Sequence, residues 1–348
     1  MGVRYIGSKA RVAGIILDLV GEPNGGRFVD AFAGTGSVAA EAASRGWPVT
    51  VNDSLPSAVA MSVAATVGRG NVPFKELAGY ESAVKLLNSV EPALGFLHSQ
   101  YSPASAATAP VERKYFTEEN ASRLDAMRSQ IREWSAAGVL TEIEEKLLIA
   151  DLLKAANSVA NISGTYGGFL KTWTDTALRP VELRPRSLPD RTTDFVATVG
   201  DASETPMVSD DTVYLDPPYT KRQYGAYYHI LETIYAGDAP EVGGVTGLRP
   251  WKDKASDYCY KTRALGALSR LVADIPSRRV FMSYSNEGHV PQEKLVEALR
   301  GLGDVGLHEI ATIGRYRPNA KASAAGQTVS EYVIEVTRPA QANMNRVA

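Results

Sequence analysis

Apolar runs alternate with segments of helical spacing along much of this chain, and this alternation limits the fold more than any other feature. Short apolar runs bounded by turn residues occur at 27–32, 49–51, 195–199, 212–215 and 280–282. They have the length and composition of buried strands. Segments of helical spacing lie between most of them, at 38–44, 58–67, 228–235, 265–273 and 292–299. Strands that alternate with helices predict an α/β fold with a doubly wound, mostly parallel sheet.

The last part of the chain has a different pattern. Residues 307–316 and 330–337 both have the apolar content of strands, and the loop between them is rich in Ala, Ser, Lys and Gly. Two strands joined by such a loop favour an antiparallel hairpin. Together with the five earlier runs, this hairpin predicts a seven-stranded sheet.

The alternation is interrupted between residues 69 and 192. Two helical segments, 123–134 and 142–160, lie there among loops. We therefore predict an inserted, mainly helical module at 69–192, within a domain formed by 1–68 and 193–348. The stretch 141–171, which we expect to be largely helical, fits either unit.

Composition excludes several classes of protein. The chain has 348 residues and a formal net charge of -2, so any nucleic-acid affinity must come from basic residues collected on one face. Cys259 is the single cysteine and there are four histidines, which excludes a disulfide framework and leaves little material for a metal site. Because no signal peptide or membrane-length apolar stretch is evident, we expect a soluble cytoplasmic protein without a bound metal.

A glycine-rich turn follows the first predicted strand, in the sequence FVDAFAGTG at 28–36. Glycines allow a ligand to approach the backbone at the carboxyl end of a strand. The spacing matches neither a dinucleotide fingerprint nor a P-loop, so an amino-acid-bearing nucleoside fits better as the ligand. Asp53 ends the second predicted strand, where an acidic side chain can accept hydrogen bonds from both ribose hydroxyls. Taken alone, the turn and Asp53 fit a tight bend and a helix cap equally well.

The sequence Asp-Pro-Pro-Tyr at 216–219 follows the buried run 212–215 directly. Two prolines stiffen the turn and leave the Asp216 carboxylate and the Pro217 carbonyl as hydrogen-bond acceptors. These acceptors can take the two N–H donors of an exocyclic amine, while the Tyr219 ring stacks on the base. The arrangement favours methyl transfer to a base amine. An adenine in duplex DNA would have to be flipped out to reach it.

Taken together, these segments resemble the D12 class of DNA adenine N6-methyltransferases, the Dam-like enzymes. The glycine-rich turn, Asp53 and the 216–219 tetrad occur in the order of that family's alpha group. YIGSK at 5–9, Gly200-Asp201, FMSYSN at 281–286, Arg315-Tyr316-Arg317 and Glu331-Tyr332 extend the resemblance. It covers most of the chain outside 69–140. The resemblance implies a class I S-adenosylmethionine-dependent methyltransferase fold, with target recognition in the inserted module.

The resemblance also implies roles for individual residues. For S-adenosylmethionine the expected ligands are Tyr5, Lys9, Asp30, Phe32, Gly34, Thr35, Gly36, Asp53 and Asp201. The expected catalytic residues are Asp216, Pro217, Pro218 and Tyr219. Enzymes of this kind methylate double-stranded DNA in restriction–modification or related systems, so a cognate restriction endonuclease is a possible partner. The oligomeric state and the recognition sequence stay open.

Basic residues are concentrated after the tetrad and are interleaved with aromatic residues. The basic members of this cluster are Lys221, Arg222, Arg249, Lys252, Lys254, Lys261 and Arg263, and the aromatic members are Tyr224, Tyr227, Tyr228, Trp251, Tyr258 and Tyr260. Such a cluster suits a surface that grips phosphates and a displaced base. We expect the DNA contacts to be Lys221, Arg222, Tyr224, Lys252, Arg315 and Arg317.

Other functions fit parts of the same pattern. An RNA adenine N6-methyltransferase and an N4-cytosine DNA methyltransferase would use a similar tetrad, and a DNA-binding subunit without catalysis would keep the basic cluster. The motif order favours DNA, and Tyr219 together with the resemblance favours adenine. Cys259 has neither a preceding proline nor proximity to the tetrad in sequence, so we expect a packed thiol rather than the nucleophile of a cytosine C5-methyltransferase.

Overall fold

A computed structural model describes residues 7–313 and 329–339 of the chain. Within these residues a seven-stranded sheet has the order β3-β2-β1-β4-β5-β7-β6. The strands are β1 (Phe28–Asp30), β2 (Val49–Asp53), β3 (Phe195–Val199), β4 (Thr212–Leu215), β5 (Arg279–Ser285), β6 (Asp304–Ile313) and β7 (Val329–Thr337).

All the strands from β1 to β5 pair in parallel, and β7 is antiparallel to both of its neighbours, β5 and β6. This arrangement confirms the predicted doubly wound, mostly parallel sheet with an antiparallel hairpin near its end. β3 and β4 have the predicted bounds, whereas β1 is shorter than the apolar run 27–32 because the chain leaves the sheet after Asp30. β7 lies between β5 and β6, and its central residues Tyr332, Val333 and Ile334 are buried.

Helices lie on both sides of the sheet. They are α1 (Ala13–Val20), α2 (Ser37–Ser44), α3 (Pro56–Thr66), α4 (Tyr80–Asn88), α5 (Phe96–Tyr101), α6 (Glu118–Ala136), α7 (Glu142–Val159), α8 (Tyr224–Tyr227), α9 (His229–Ala236), α10 (Ala264–Asp274) and α11 (Gln292–Arg300). The sequence pattern did not predict α1, α4 or α5. The predicted helix 228–235 is preceded by a separate short helix, α8, because Tyr228 between α8 and α9 leaves helical geometry at φ −116° and ψ 21°.

Successive strand residues send their side chains to opposite faces, which divides the core in two. Phe28, Tyr214 and Phe281 face the larger half, which α1, α2, α3, α7 and α9 cover. Val29, Val213 and Val280 face the smaller half under α10 and α11. No helix in the described part of the chain has the length and apolar character needed to cross a membrane.

The region 69–192 shares the larger half of the core with the sheet. Its buried apolar side chains continue without a break into those of α3 and α9, and α7 contacts both of these helices. α7 begins with a capping box formed by Thr141 and Glu144, and it ends at Val159, well short of residue 171. The limits of the inserted module remain a prediction.

A buried ionic contact joins this region to α3. Asp151 on α7 accepts hydrogen bonds from the Tyr80 hydroxyl and from the Arg186 guanidinium, whose Nη2 lies 2.7 Å from Asp151 Oδ1. Arg186 also donates to the carbonyl of Ala64 on α3, at 3.2 Å. Removing one partner of a buried pair leaves the other charge without compensation.

We therefore predict that Arg186→Ala lowers the free energy of unfolding by about 3 kcal/mol, measured by urea denaturation. Arg184→Ala is the matched control, because Arg184 pairs with Glu182 on the surface and should cost less than about 1 kcal/mol. Equal losses for the two variants would contradict a stabilising role for the Asp151 contact.

Candidate active site

A cavity of about 310 Å³ opens at the carboxyl ends of β1, β2, β3 and β4. Parallel strands bring their carboxyl ends to one edge of a sheet, so turns that are far apart in sequence meet there. Residues predicted to bind a cofactor that line this cavity are Lys9, Asp30, Phe32, Gly34, Thr35, Asp53 and Asp201. Asp216, Pro218 and Tyr224 line it as well, whereas Gly36 is not among the lining residues.

The glycine-rich turn after β1 packs closely against α3. Gly34 and Gly36 have φ values of +51° and +77°, in the left-handed region that favours glycine. A Cβ atom on Gly36 would lie 2.5 Å from the Cα of Ser62 on α3. Gly36 therefore allows the turn to pack directly on α3, while Gly34 faces the cavity.

The Asp53 carboxylate connects this turn to the end of β2. Its Oδ2 accepts a hydrogen bond from the Gly34 N–H at 2.9 Å, and its Oδ1 accepts one from the Leu55 N–H at 2.9 Å. Burial raises the pKa of Asp53 to about 6. Each carboxylate oxygen retains a second lone pair, so these backbone contacts leave acceptor capacity toward the cavity.

Asp30, the last residue of β1, is 1% exposed, and its Oδ1 has no hydrogen-bond partner among the described residues. Burial raises the pKa of Asp30 well above its ordinary value, and the charges of Asp216 and Asp53 raise it further. A buried oxygen without a donor is costly, so its position in a cavity wall points to a donor that a ligand supplies.

Lys9 lies beside Asp216 at the end of β4. The Lys9 side chain is 5% exposed, and its Nζ lies 3.0 Å from Asp216 Oδ1 and 4.0 Å from Glu331 Oε1. Burial acts to lower the pKa of Lys9, but Asp216, Tyr219 and Glu331 outweigh it and raise that pKa above its ordinary value. Burial also raises the pKa of Asp216, although the Lys9 ammonium acts in the opposite direction.

Tyr219, the last residue of the tetrad, is not among the residues that line the cavity. Its ring packs edge-on against Tyr284 with centroids 5.6 Å apart, and Lys9 Nζ lies 5.7 Å from its centroid. The Tyr219 carbonyl accepts a hydrogen bond from the His289 N–H at 2.9 Å. The loop after β5 therefore holds the tetrad in place.

The comparisons with known proteins agree with this geometry. A family model described as D12 class N6 adenine-specific DNA methyltransferase matches residues 5–294. The chain belongs to this family. The resemblance noted in the sequence is thus confirmed, and the mixed sheet with flanking helices is consistent with the class I methyltransferase fold of the D12 family.

Several relatives are bacterial modification enzymes. Modification methylase StsI of Streptococcus sanguinis is 32% identical over 97% of this chain and 52% of its own length. Type II methyltransferase M.FokI of Planomicrobium okeanokoites is 32% identical over 97% of this chain and 53% of its own length. The chain thus spans about half the length of these two relatives. Type II methyltransferase M.NlaIII of Neisseria lactamica is 32% identical over 88% of this chain and 90% of its own length.

In this D12 family member, residues of the segment 253–258 form a wall of the cavity that the sequence pattern did not indicate. The Gln223 side chain donates to the Ser256 carbonyl at 3.3 Å and accepts from the Ser256 N–H at 2.9 Å. Lys254 pairs with Glu232 on α9 at 2.8 Å. Tyr258, which belongs to the basic and aromatic cluster, lines the cavity and packs edge-on against Phe32 with centroids 5.5 Å apart. The position of this wall depends on contacts between residues that are distant in sequence, and the local spacing of residues does not reveal such contacts.

The predicted DNA contacts are only partly within the described residues. Lys221, Arg222 and Lys252 are exposed. Arg315 and Arg317, like Tyr5, lie outside the described residues. Cys259 is buried and its thiol donates to the Arg222 carbonyl at 3.3 Å, while burial raises its pKa to about 11. These features fit a packed thiol better than a nucleophile. Among the described residues no group of His, Cys, Asp and Glu is arranged to hold a metal ion.

The close approach of the turn to α3 leads to a stability prediction. Gly36→Ala and Gly46→Ala both place alanine in the left-handed region, at a cost of about 1–2 kcal/mol. Gly46 has no atom within 4 Å of its Cβ position, so Gly36→Ala should cost about 1–3 kcal/mol more because of its contact with Ser62. Urea unfolding of both variants measures the difference. Similar losses would mean that the turn can move away from α3 without cost.

Proposed function

We propose that this protein transfers a methyl group from S-adenosylmethionine to N6 of an adenine flipped out of duplex DNA. The observation that carries the proposal is the shared cavity, which has the glycine-rich turn on one side and Asp216 of the tetrad on the other. A cofactor site next to the Asp216 carboxylate, which can accept an N–H of an exocyclic amine, is what methyl transfer to a base requires.

The cavity wall fits the chemistry of S-adenosylmethionine. The ammonium group of its methionine part would give the buried Asp30 Oδ1 the donor that it lacks. Asp53 would accept hydrogen bonds from the ribose hydroxyls, and Phe32 with Tyr258 would provide an aromatic wall for the adenine ring, near Asp201. Gly34 and Thr35 would let the backbone approach the ligand, and Lys9 would lie at the methionine end. When bound, this cofactor supplies an electrophilic methyl group.

The tetrad would orient the target amine. Asp216 and the Pro217 carbonyl would each accept one N–H of the adenine N6, which directs the nitrogen lone pair toward the methyl group. Pro218 would keep the turn rigid, and Tyr219 would stack on the flipped base. The amine of a base is barely basic, so its orientation contributes more to the rate than proton abstraction does.

The likeness to type II modification enzymes supports a role in restriction–modification, with duplex DNA as substrate and a restriction endonuclease as the partner system. Lys221, Arg222, Lys252, Arg315 and Arg317 would contact phosphates, and Tyr224 would lie near the flipped base. The family match favours adenine N6 in DNA over adenine N6 in RNA and over cytosine N4.

Methyl transfer from labelled S-adenosylmethionine to long unmethylated duplex DNA of mixed sequence tests this function. After digestion of the DNA to nucleosides, the label should be found in N6-methyldeoxyadenosine. Label in N4-methyldeoxycytidine, or transfer only to structured RNA, would favour one of the rival enzymes. Cofactor and DNA binding without any transfer would favour the non-catalytic subunit.

We predict that Asp216→Asn lowers single-turnover methylation by at least about 10²-fold, because it removes an oriented charged acceptor at the reacting amine. Asp210→Asn is a matched control, since Asp210 is exposed and lies before the opposite end of β4. Thermal melting should show both variants folded. Near wild-type transfer by folded Asp216→Asn would rule out the tetrad as the catalytic site.

The pKa of Asp53 predicts a pH dependence of cofactor affinity. Only the ionised carboxylate can accept from both ribose hydroxyls in addition to its backbone donors. Since burial raises the pKa of Asp53 to about 6, affinity should fall as the pH drops from 7.5 through 6 to 5. Calorimetry should show this loss in the wild type. Asp53→Asn should bind more weakly by about 1–3 kcal/mol at pH 7.5 and lose most of the pH dependence. Wild-type affinity that is constant over this range would exclude Asp53 as a ribose ligand.

A further inference from the structure

Glu331, near the start of β7, contacts the candidate active site through Lys9. Its side chain is 14% exposed, and its Oε1 lies 4.0 Å from Lys9 Nζ. Its Oε2 is buried and has no hydrogen-bond partner among the residues that the structure describes. A buried carboxylate oxygen without a hydrogen-bond donor lowers the stability of the fold. We therefore expect Glu331 to have a role other than stabilising the fold.

The sheet topology accounts for the position of Glu331. β4 and β5 are parallel, and Asp216 follows the last residue of β4. β7 runs antiparallel to β5, with Glu331 opposite Ser285 at the carboxyl end of β5. The antiparallel strand therefore begins at the edge where the parallel strands end. A residue near its start reaches the same cavity edge as a residue after β4.

We propose that Glu331 is a positioning residue that acts through Lys9 during methyl transfer, an inference that rests on the proposed function. Glu331 affects the surroundings of Asp216 in two ways. It gives the Lys9 ammonium a second carboxylate, so that Lys9 can shift toward Glu331 when the amine donates to Asp216. It also keeps the combined charge of Asp216, Lys9 and Glu331 at −1 rather than zero.

The charge balance of the reaction makes this negative charge useful. The N6 lone pair forms a bond to the methyl carbon, while the electrons of the broken carbon–sulfur bond stay on sulfur. The nitrogen becomes positively charged and then loses one proton to water. Lys9 Nζ lies 3.0 Å from Asp216 Oδ1, so its charge opposes the charge that develops on the amine. Glu331 offsets this repulsion without touching the substrate.

If Glu331 only stabilised the structure, its substitution would have different effects. If its role were only to bury Lys9 at the end of β7, its substitution would change the melting temperature or cofactor binding and leave the chemical step alone. A role in charge balance changes the single-turnover rate at saturating cofactor and DNA. The rate of the bound complex therefore separates the two roles.

The test compares single-turnover methylation by the wild type, Glu331→Gln and Glu331→Asp. We expect Glu331→Gln to lower the rate by about tenfold, which is less than the roughly 10²-fold or larger loss on removing a group that touches the reacting atoms. Cofactor affinity, DNA affinity and melting temperature should stay close to wild type. Glu331→Asp should recover part of the rate because it keeps the charge. Glu335→Gln is the matched control on the same strand, since Glu335 contacts His308 and Arg279 instead.

A double-mutant cycle with Lys9→Met tests whether the effect passes through Lys9. The Glu331→Gln substitution should lower the single-turnover rate when it is made in the wild type. It should cause no further loss of rate when it is made in the Lys9→Met variant. Equal losses in the two backgrounds, or a wild-type rate in Glu331→Gln, would overturn the inference. If Glu331→Gln proves unstable, the Glu331→Asp rate decides, because a structural role predicts no change in the rate of the folded fraction. Failure of the wild type to methylate any DNA would instead refute the proposed function.

Discussion

Parallel pairing of β1 with β2 and β4 is the constraint on which the site depends, because it sends the chain into turns at a single edge of the sheet. The glycine-rich turn, Asp53 and Asp216 are separated by long stretches of sequence and meet only there. The hydrogen bond from Gly34 to Asp53 joins the first two turns. Without this shared edge, neither the cavity nor the ion pair of Lys9 with Asp216 would form.

The same edge concentrates negative charge in a buried place. Asp30, Asp53 and Asp216 line the cavity, and the Lys9 ammonium contacts Asp216 and the neighbouring Glu331. Burying carboxylates is unfavourable unless they are paired or hydrogen-bonded, and Asp30 Oδ1 and Glu331 Oε2 have no hydrogen-bond partner among the described residues. Such an excess suits a positively charged ligand and a reaction in which positive charge moves onto an amine. The electrostatics thus agree with S-adenosylmethionine, whose sulfonium and ammonium groups are both cationic.

Local pattern predicted what depends on neighbours in sequence. The bounds of β3 and β4 were correct because each is an apolar run between polar turns. The motifs around Asp30, Asp53 and Asp216 could be recognised because their chemistry lies within a few residues. The contact of Lys9 with Glu331 could not be predicted, since it depends on the reversed direction of β7. The wall formed by 253–258 was missed because Gln223 and Glu232, which lie outside the segment, hold it in place.

The region 69–192 is also tied to the part of the chain that follows the tetrad. Arg113 donates to the carbonyls of Gly244 and Val245, and the Tyr115 hydroxyl donates to that of Thr246. The turn that these contacts hold leads directly to Arg249 and Lys252 in the basic cluster. Side chains from the predicted recognition module therefore fix the backbone that presents predicted phosphate contacts. A change of target specificity that replaced this module alone would disturb the turn, so the two segments have to change together.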